Sequence, residues 1–306
     1  MKKKWLMLGS AVGISGVVMI TTGLSAMAST SGYDTYKAAF KNTKTIQNVS
    51  VQAQSVLQDN GNELTSANGT FKLSPQNHLA SGSVTVKGSG AEQSLLFYKQ
   101  ADGTVVKPSG TDVYYVRQEG KEKNWNTNKI QDHEVMSQQV ETVIDALVGN
   151  LKDYVTVDNK ADGTKQVAVE LTNSQIPAVV NAIAPIAIKQ ATSGHKWGKE
   201  NKSDTPTKPI PFDEHTLNAN VPQLTQDIKI DKVAIKADIN ADNYIEHQQA
   251  DVTVSGKDAS GTAHVLTLHL NADLSNYNNT TPDTVDLTGK QVQSLKQDNR
   301  QNRENK

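Results

Sequence analysis

The sequence predicts an α+β fold in which a single strongly curved antiparallel β-sheet, a half-barrel, packs on two main amphipathic helices. Two β-rich arms, residues 49–118 and 227–274, alternate apolar and polar side chains with the period of two that is typical of half-buried strands. Between them lie two segments with helical spacing, residues 132–154 and 174–190. One sheet closed by these helices would bury both patterns, and two separate domains are the alternative.

The N-terminal residues 1–28 have the pattern of an export signal. Three lysines at positions 2–4 precede a mainly apolar run, and Ser25-Ala26-Met27-Ala28 then supplies small residues at the −3 and −1 positions of a cut after Ala28. These features predict a signal peptide that is cut after Ala28. Because the run approaches the roughly 20 residues that span a bilayer, an uncleaved anchor is the alternative. In both cases we expect the rest of the chain to be extracytoplasmic, either secreted or attached to the outer face of the cytoplasmic membrane.

The composition excludes several classes of chemistry. The 306 residues contain no cysteine, so the chain can form no disulfide, no thiolate metal site and no lipid-modified cysteine. The formal net charge is −1, and no basic patch with interleaved aromatic residues is present, so we expect no nucleic-acid partner. An exported chain without cysteine favours a Gram-positive source.

The first arm begins after a short helix. Residues 32–42 carry Tyr33, Tyr36 and Phe40 at helical spacing, and we expect these aromatic side chains to pack on the first strands. From residue 49 onward, short apolar–polar runs are separated by turn sequences such as Asp59-Asn60-Gly61-Asn62. Strands this close in sequence predict an antiparallel meander.

The central helix is predicted over residues 132–154. Apolar residues recur at intervals of mostly three and four and form one stripe: Val135, Met136, Val140, Val143, Ile144, Leu147, Val148 and Leu151. Such a stripe must be buried against a partner, and a sheet formed by the neighbouring strands is the expected one. The helix then either closes a core or forms a lid over an apolar cavity.

The second helix is predicted over residues 174–190, after a hairpin formed by residues 154–158 and 166–171. Pro177 fits its first turn, Pro185 should kink it, and Lys189 carries its first charge. This low charge predicts that the helix is more buried than the first or that it faces something apolar. Residues 192–222 are polar and rich in proline, which predicts a long surface loop.

The second arm consists of strand-like runs at residues 227–239, 244–255 and 264–274, and a polar C-terminal stretch follows it. Residues 291–306 contain too few apolar side chains to hold a fold, so they are predicted to be disordered. The predicted organisation is therefore a signal peptide or anchor over residues 1–28, the curved sheet with inserted helices over 33–288, and a polar tail over 289–306.

A search of the sequence for catalytic and metal-binding motifs identifies no site. No HExxH pair, nucleophile elbow, Walker loop or Rossmann fingerprint is present, and residues 238–243 lack the glycine and glutamate of a calcium loop. We therefore predict no enzyme, no catalytic residue, no metal and no cofactor, and we expect structural or surface roles for the seven histidines: His78, His133, His195, His215, His247, His264 and His269.

An exported chain with a β-meander, inserted amphipathic helices and a returning β-meander resembles the LolA/LppX-like lipoprotein-carrier superfamily. The resemblance is architectural and covers about residues 35–287; its nearest local similarities are ADVTVSGKDASGTAHVLTLHLNADLS (residues 250–275) and VAVELTNSQIPAVVNAI (residues 167–183). It implies a curved half-barrel closed by helices, with an apolar cavity that holds acyl chains. The chain lacks the lipid-modified cysteine of the lipoprotein members, and no site residue can be carried over.

The leading hypothesis is an exported, non-enzymatic cell-envelope protein that binds a lipid, a lipoprotein or another apolar ligand between sheet and helices. The candidate cavity-lining residues are Val140, Ile144, Leu147, Ile176, Val180 and Ile183. The alternative is an envelope sensor or structural protein that acts through protein–protein contacts, with residues 192–222 and the C-terminal tail as its contact surfaces. A secreted hydrolase is a third hypothesis. The sequence does not specify an oligomeric state.

Overall fold

The computed structural model describes residues 31–88, 91–118, 154–178, 180–181, 185, 188 and 221–295. Its helix and strands are, in chain order, α1 (Ser31–Lys44), β1 (Val49–Asp59), β2 (Asn62–Ser74), β3 (Leu79–Gly88), β4 (Ala91–Gln100), β5 (Gly103–Pro108), β6 (Val113–Gln118), β7 (Val155–Asn159), β8 (Lys165–Thr172), β9 (Gln226–Ile239), β10 (Ile245–Lys257), β11 (Ala263–Ser275) and β12 (Gln291–Ser294). A short 3₁₀ helix, Asn173–Gln175, follows β8.

All twelve described strands form one sheet in the order β12-β6-β5-β4-β3-β2-β1-β11-β10-β9-β8-β7. Neighbouring strands are antiparallel except for β12, which runs parallel to β6. The predicted meander of the first arm is confirmed, because β1 to β6 are hydrogen-bonded in sequence order. The two arms meet in the middle of the sheet, where Ala53 of β1 lies opposite Gly69 on one side and Ala272 on the other.

Two long connections leave this sheet. β6 and β7 are ten positions apart in the strand order, so residues 119–154 connect strands at or next to opposite edges of the sheet, about 48 Å apart along the sheet at a spacing of ~4.8 Å per strand. By contrast, residues 173–225 connect two strands, β8 and β9, that are direct neighbours in the sheet. The central helix predicted over residues 132–154 falls in the first connection, and residues 132–153 lie outside the described residues.

The prediction of a half-barrel packed on two main helices is wrong. The sheet is a single open layer, and in the described part of the chain the one complete helix packed on it is α1. Of the second predicted helix, residues 174–175 lie in the 3₁₀ helix, residues 176–177 are not helical, and the other described residues, 178, 180, 181, 185 and 188, are helical. The error has a physical cause. An apolar stripe indicates that a helix is buried against something, but it does not identify the surface that the helix contacts.

Helix α1 also binds a different part of the sheet from the one expected. Its aromatic residues do not pack on the first strands, because α1 contacts β7, β8, β9 and β10. Tyr36, Ala39 and Phe40 form a buried cluster with apolar residues of β8, β9 and β10: Val167, Ala237, Ile239 and Ile245. The helix thus closes one end of the apolar face of the sheet.

At the other end of the sheet, the core is formed by the strands themselves. Phe71 of β2 lies at its centre, with Ala67, Val84, Val86, Leu95 and Val106. The phenyl rings of Phe71 and Phe97 are tilted by 40° at a centroid distance of 5.8 Å, a favourable aromatic arrangement. Beyond this core, Gln291–Ser294 pair with Val113–Val116 of β6, although the sequence assigned them to the polar tail.

Candidate functional site

The two faces of the sheet differ in chemistry because successive residues of a strand point to opposite sides. In the central strands β1, β9, β10 and β11, one face carries mostly aliphatic residues, and we call it the apolar face. The opposite face carries amides, hydroxyls, carboxylates and imidazoles, and we call it the polar face. This division is the basis of both candidate sites.

On the apolar face, four aliphatic side chains form a continuous row across four strands. Val233 of β9 is opposite Val252 of β10, Val252 is opposite Leu268 of β11, and Leu268 is opposite Leu57 of β1. We call these four residues the aliphatic row; at ~4.8 Å per strand it is about 14 Å long. All four side chains are only half-buried, whereas the clusters on either side contain fully buried residues.

The aliphatic row has buried residues at both of its flanks. Leu224, Ile228, Val254 and Leu266 form a cluster on one side, against which Val252 and Ile188 pack. On the other side, the buried Tyr36 hydroxyl accepts a hydrogen bond of 3.0 Å from Nε2 of Gln248, which is itself 4% exposed. Burial raises the pKa of Tyr36 to about 12, so its hydroxyl stays neutral and can hold Gln248 in place. The row is therefore bounded by rigid, well-packed structure.

The polar face contains a recess of about 290 Å³ over β11, β1, β2 and β3. Two cross-strand rows of polar residues line it: Asp273, Gln52, Thr70 and Ser83 in one, and Asn271, Gln54, Asn68 and Thr85 in the other. Ala53 and Gly69 complete the lining. The side chains that line the recess are therefore hydrogen-bonding groups, and its surface is more polar than apolar.

Histidine–aspartate pairs occur on β10 and β11. The Nδ1 atoms of His247 and His269 lie 2.7 Å from Asp273 and 2.6 Å from Asp251, their cross-strand partners on the polar face. A third imidazole, that of His264, bridges two turns: its Nδ1 is 2.8 Å from Oδ2 of Asp59, and its Nε2 is 3.6 Å from Oδ2 of Asp258. The hydrogen bond with Asp59 raises the pKa of His264, although partial desolvation opposes the shift. The two cross-strand pairs favour the observed register of β10 and β11.

The structure describes two of the six predicted cavity-lining residues. Ile176 is buried just after the 3₁₀ helix, and Val180 is half-buried one helical turn further on, with its N–H 2.9 Å from the Pro177 carbonyl oxygen. The remaining four lie outside the described residues: Val140, Ile144, Leu147 and Ile183. Their grouping around a cavity stays a prediction. The aliphatic row was not singled out by the sequence analysis, although alternation in the second arm placed Val233, Val252 and Leu268 at apolar strand positions.

Among the described residues, no group of three or more histidine, cysteine, aspartate or glutamate side chains is arranged to hold a metal ion. Nor does any helix in this part of the chain combine the length and apolar character needed to cross a membrane.

Comparisons with known proteins give weak likenesses. No family model and no curated protein sequence matches the chain. A lipovitellin structure from work on lipid–protein interactions is similar over 78% of this chain, at 7% identity and a TM-score of 0.26; the chain spans only 26% of that protein. A DUF1329 family protein from Desulfovibrio piger is similar over 84% of this chain and 94% of its own, at 10% identity and a TM-score of 0.21.

A third similar structure is an N-terminal dehydratase from the difficidin assembly line, at 8% identity and a TM-score of 0.11 over 78% of this chain and 81% of its own. At TM-scores this low, none of these likenesses carries an argument about function. The resemblance to lipoprotein carriers noted from the sequence therefore remains weak and architectural.

Proposed function

We propose that this protein is an exported, non-enzymatic cell-envelope protein that holds a lipid or another apolar ligand against the apolar face of its sheet. The extracytoplasmic location rests on the export pattern of residues 1–28. The binding role rests on one observation, the half-buried aliphatic row between two well-packed clusters.

The aliphatic row supports this proposal because partly exposed aliphatic surface has a cost that a ligand can remove. Each additional Å² of apolar surface taken from water stabilises a complex by about 25 cal/mol. An acyl chain laid along the row would cover side chains from four neighbouring strands. The surrounding clusters keep that surface in place, so little conformational entropy is lost when the ligand binds.

The proposal is tested by purifying the full chain, extracting it with organic solvent and analysing the extract by mass spectrometry. The stripped protein is then titrated with a fluorescent fatty acid. We expect co-purified lipid and saturable binding of the fatty acid. Absence of both would overturn the proposal, and a stoichiometric protein partner recovered in place of lipid would favour a role in protein–protein contacts.

A matched pair of variants locates the binding surface. Val233→Thr adds a hydroxyl to the aliphatic row without changing the side-chain volume, and Val265→Thr makes the same change on the polar face, where Val265 is 41% exposed. A hydroxyl buried without a partner costs about 1–3 kcal/mol, so Val233→Thr should weaken fatty-acid binding roughly tenfold. Val265→Thr should leave it unchanged. Equal affinities in the two variants would show that the ligand binds elsewhere.

A further inference from the structure

We infer that the recess on the polar face is a second binding site and that it takes a neutral, polyhydroxylated ligand, a chain of sugar residues. The inference does not depend on the proposed apolar ligand, because the two sites lie on opposite faces of the sheet.

The polar side chains that line the recess differ in how far they are hydrogen-bonded within the described structure. Thr70 and Ser83 bond each other at 2.8 Å, Thr85 bonds Ser94 at 2.8 Å, and Asp273 bonds His247. By contrast, the side chains of four other lining residues make no hydrogen bond with any described residue: Gln52, Gln54, Asn68 and Asn271. Their carboxamides together offer eight N–H donors and four carbonyl acceptors toward solvent, at two donors and one carbonyl oxygen each.

The register of the strands brings these amides close together on one face of the sheet. Gln54 is the direct cross-strand neighbour of Asn271 on one side and of Asn68 on the other, so three carboxamides form a row across three strands. Gln52 lies two residues from Gln54 on the same face. The whole recess spans four strands, about 14 Å at ~4.8 Å per strand, which provides length for consecutive sugar residues.

The lining and the position of the recess disfavour anions, lipid tails and extended peptides as ligands. Its lining contains no lysine or arginine, and Asp273 contributes negative charge, so anionic ligands such as phosphates are disfavoured. The side chain of Ala53 points to the apolar face, as do the side-chain positions of its cross-strand partners Gly69 and Ala272, so Ala53 and Gly69 line the recess with backbone and a lipid tail gains little there. The recess lies on the face of the sheet, away from the edge strands to which an extended peptide adds by backbone pairing. Sugar hydroxyls both donate and accept hydrogen bonds, as carboxamides do.

The test titrates the isotope-labelled protein with three neutral oligosaccharides: cellohexaose, maltohexaose and chitohexaose. The NMR signals of the side-chain NH2 groups of Gln52, Gln54, Asn68 and Asn271 report directly on the recess. We expect at least one of these sugars to shift all four signals with saturation. If none of the three sugars shifts these NH2 signals, the inference is wrong. It is also wrong if a neutral alanine-rich peptide shifts the signals and the sugars do not.

Variants complete the test. Gln54→Ala and Asn68→Ala each remove one exposed amide from the recess, and each should weaken sugar binding about three- to tenfold. Gln226→Ala removes an exposed amide of β9 that is not part of the recess, and it should leave the affinity unchanged. If the double variant Gln54→Ala, Asn68→Ala binds the sugar as tightly as the unaltered protein, the inference is wrong.

Discussion

The ring of Phe71 packs directly on two glycines of the sheet. Gly82 lies opposite Phe71 on β3, and Gly69 lies two residues before it on β2. A Cβ atom at Gly82 would lie 2.8 Å from ring atoms of both Phe71 and Phe97, and it would also collide with the Thr70 carbonyl oxygen. Glycine is therefore required at position 82 because an aromatic ring and the backbone of a neighbouring strand occupy the space of a side chain.

We accordingly expect Gly82→Ala to lower the free energy of unfolding by about 1–3 kcal/mol, the usual cost of overpacking a core. Urea denaturation measures this effect. Ser83→Ala is the matched control, because the neighbouring side chain points to the polar face and its hydrogen bond to Thr70 is solvent-exposed. A Gly82→Ala protein as stable as Ser83→Ala would mean that Phe71 does not pack as described.

The contribution of His264 to the free energy of unfolding should depend on pH. The pKa of His264 is raised by Asp59, so the charged imidazole is favoured in the folded state. Its stabilising contribution is full below the ordinary histidine pKa of about 6.5, and it is lost as the pH rises through the higher pKa of the folded state. The difference in unfolding free energy between the unaltered protein and His264→Gln should therefore be larger at pH 6 than at pH 9.

Urea denaturation at both pH values checks this expectation. His78→Gln serves as the control, since His78 is exposed in the turn between β2 and β3. A difference for His264→Gln that does not change with pH would contradict the assignment of a charged bridge between Asp59 and Asp258.

At the scale of elements, helix α1 covers one end of the apolar face. Tyr33, Tyr36 and Ala39 are almost completely buried, and Phe40 is 8% exposed. Since α1 contacts β7, β8, β9 and β10, it ties residues 31–44 to strands that are more than 100 positions away in the sequence. We expect the helix and these strands to unfold together.

Phe40→Ala tests this coupling and should destabilise the protein by about 3–5 kcal/mol, the usual cost of removing a buried phenyl ring. Lys41→Ala, on the exposed side of the same helix, should change stability by less than about 0.5 kcal/mol. Hydrogen exchange followed by mass spectrometry should show faster exchange in β8 and β9 of Phe40→Ala. Faster exchange confined to α1 would show that the helix is not coupled to the sheet.

At the scale of the whole molecule, the sequence predicts the strands much better than their partners. Alternation correctly groups Val84 with Val86 on one face of their strand. It also groups Leu266, Leu268 and Leu270 on one face of theirs, because the period of a strand is a local property. The pairing of β1 with β11, and therefore the position of α1, depends on contacts between residues more than 200 positions apart. A pattern in one segment holds no information about such contacts.

The candidate sites were beyond prediction for the same reason. Gln54, Asn68 and Asn271 are ordinary polar strand residues in the sequence, and only the register of three strands brings their amides into one row. The aliphatic row likewise combines residues from both arms. The short strand β12 was missed because Gln291–Ser294 lack the alternation that marks a strand, and its pairing with β6 is a tertiary contact.

The binding of an apolar ligand to one face of the sheet is tested most directly by paramagnetic relaxation enhancement with a spin-labelled stearic acid. The methyl groups of the aliphatic row report on the apolar face: Leu57, Val233, Val252 and Leu268. The exposed methyl groups of Leu96 and Val265 report on the polar face. We predict that the first set broadens more strongly than the second at the same concentration of label. Broadening of both sets alike, or of neither, would contradict the account.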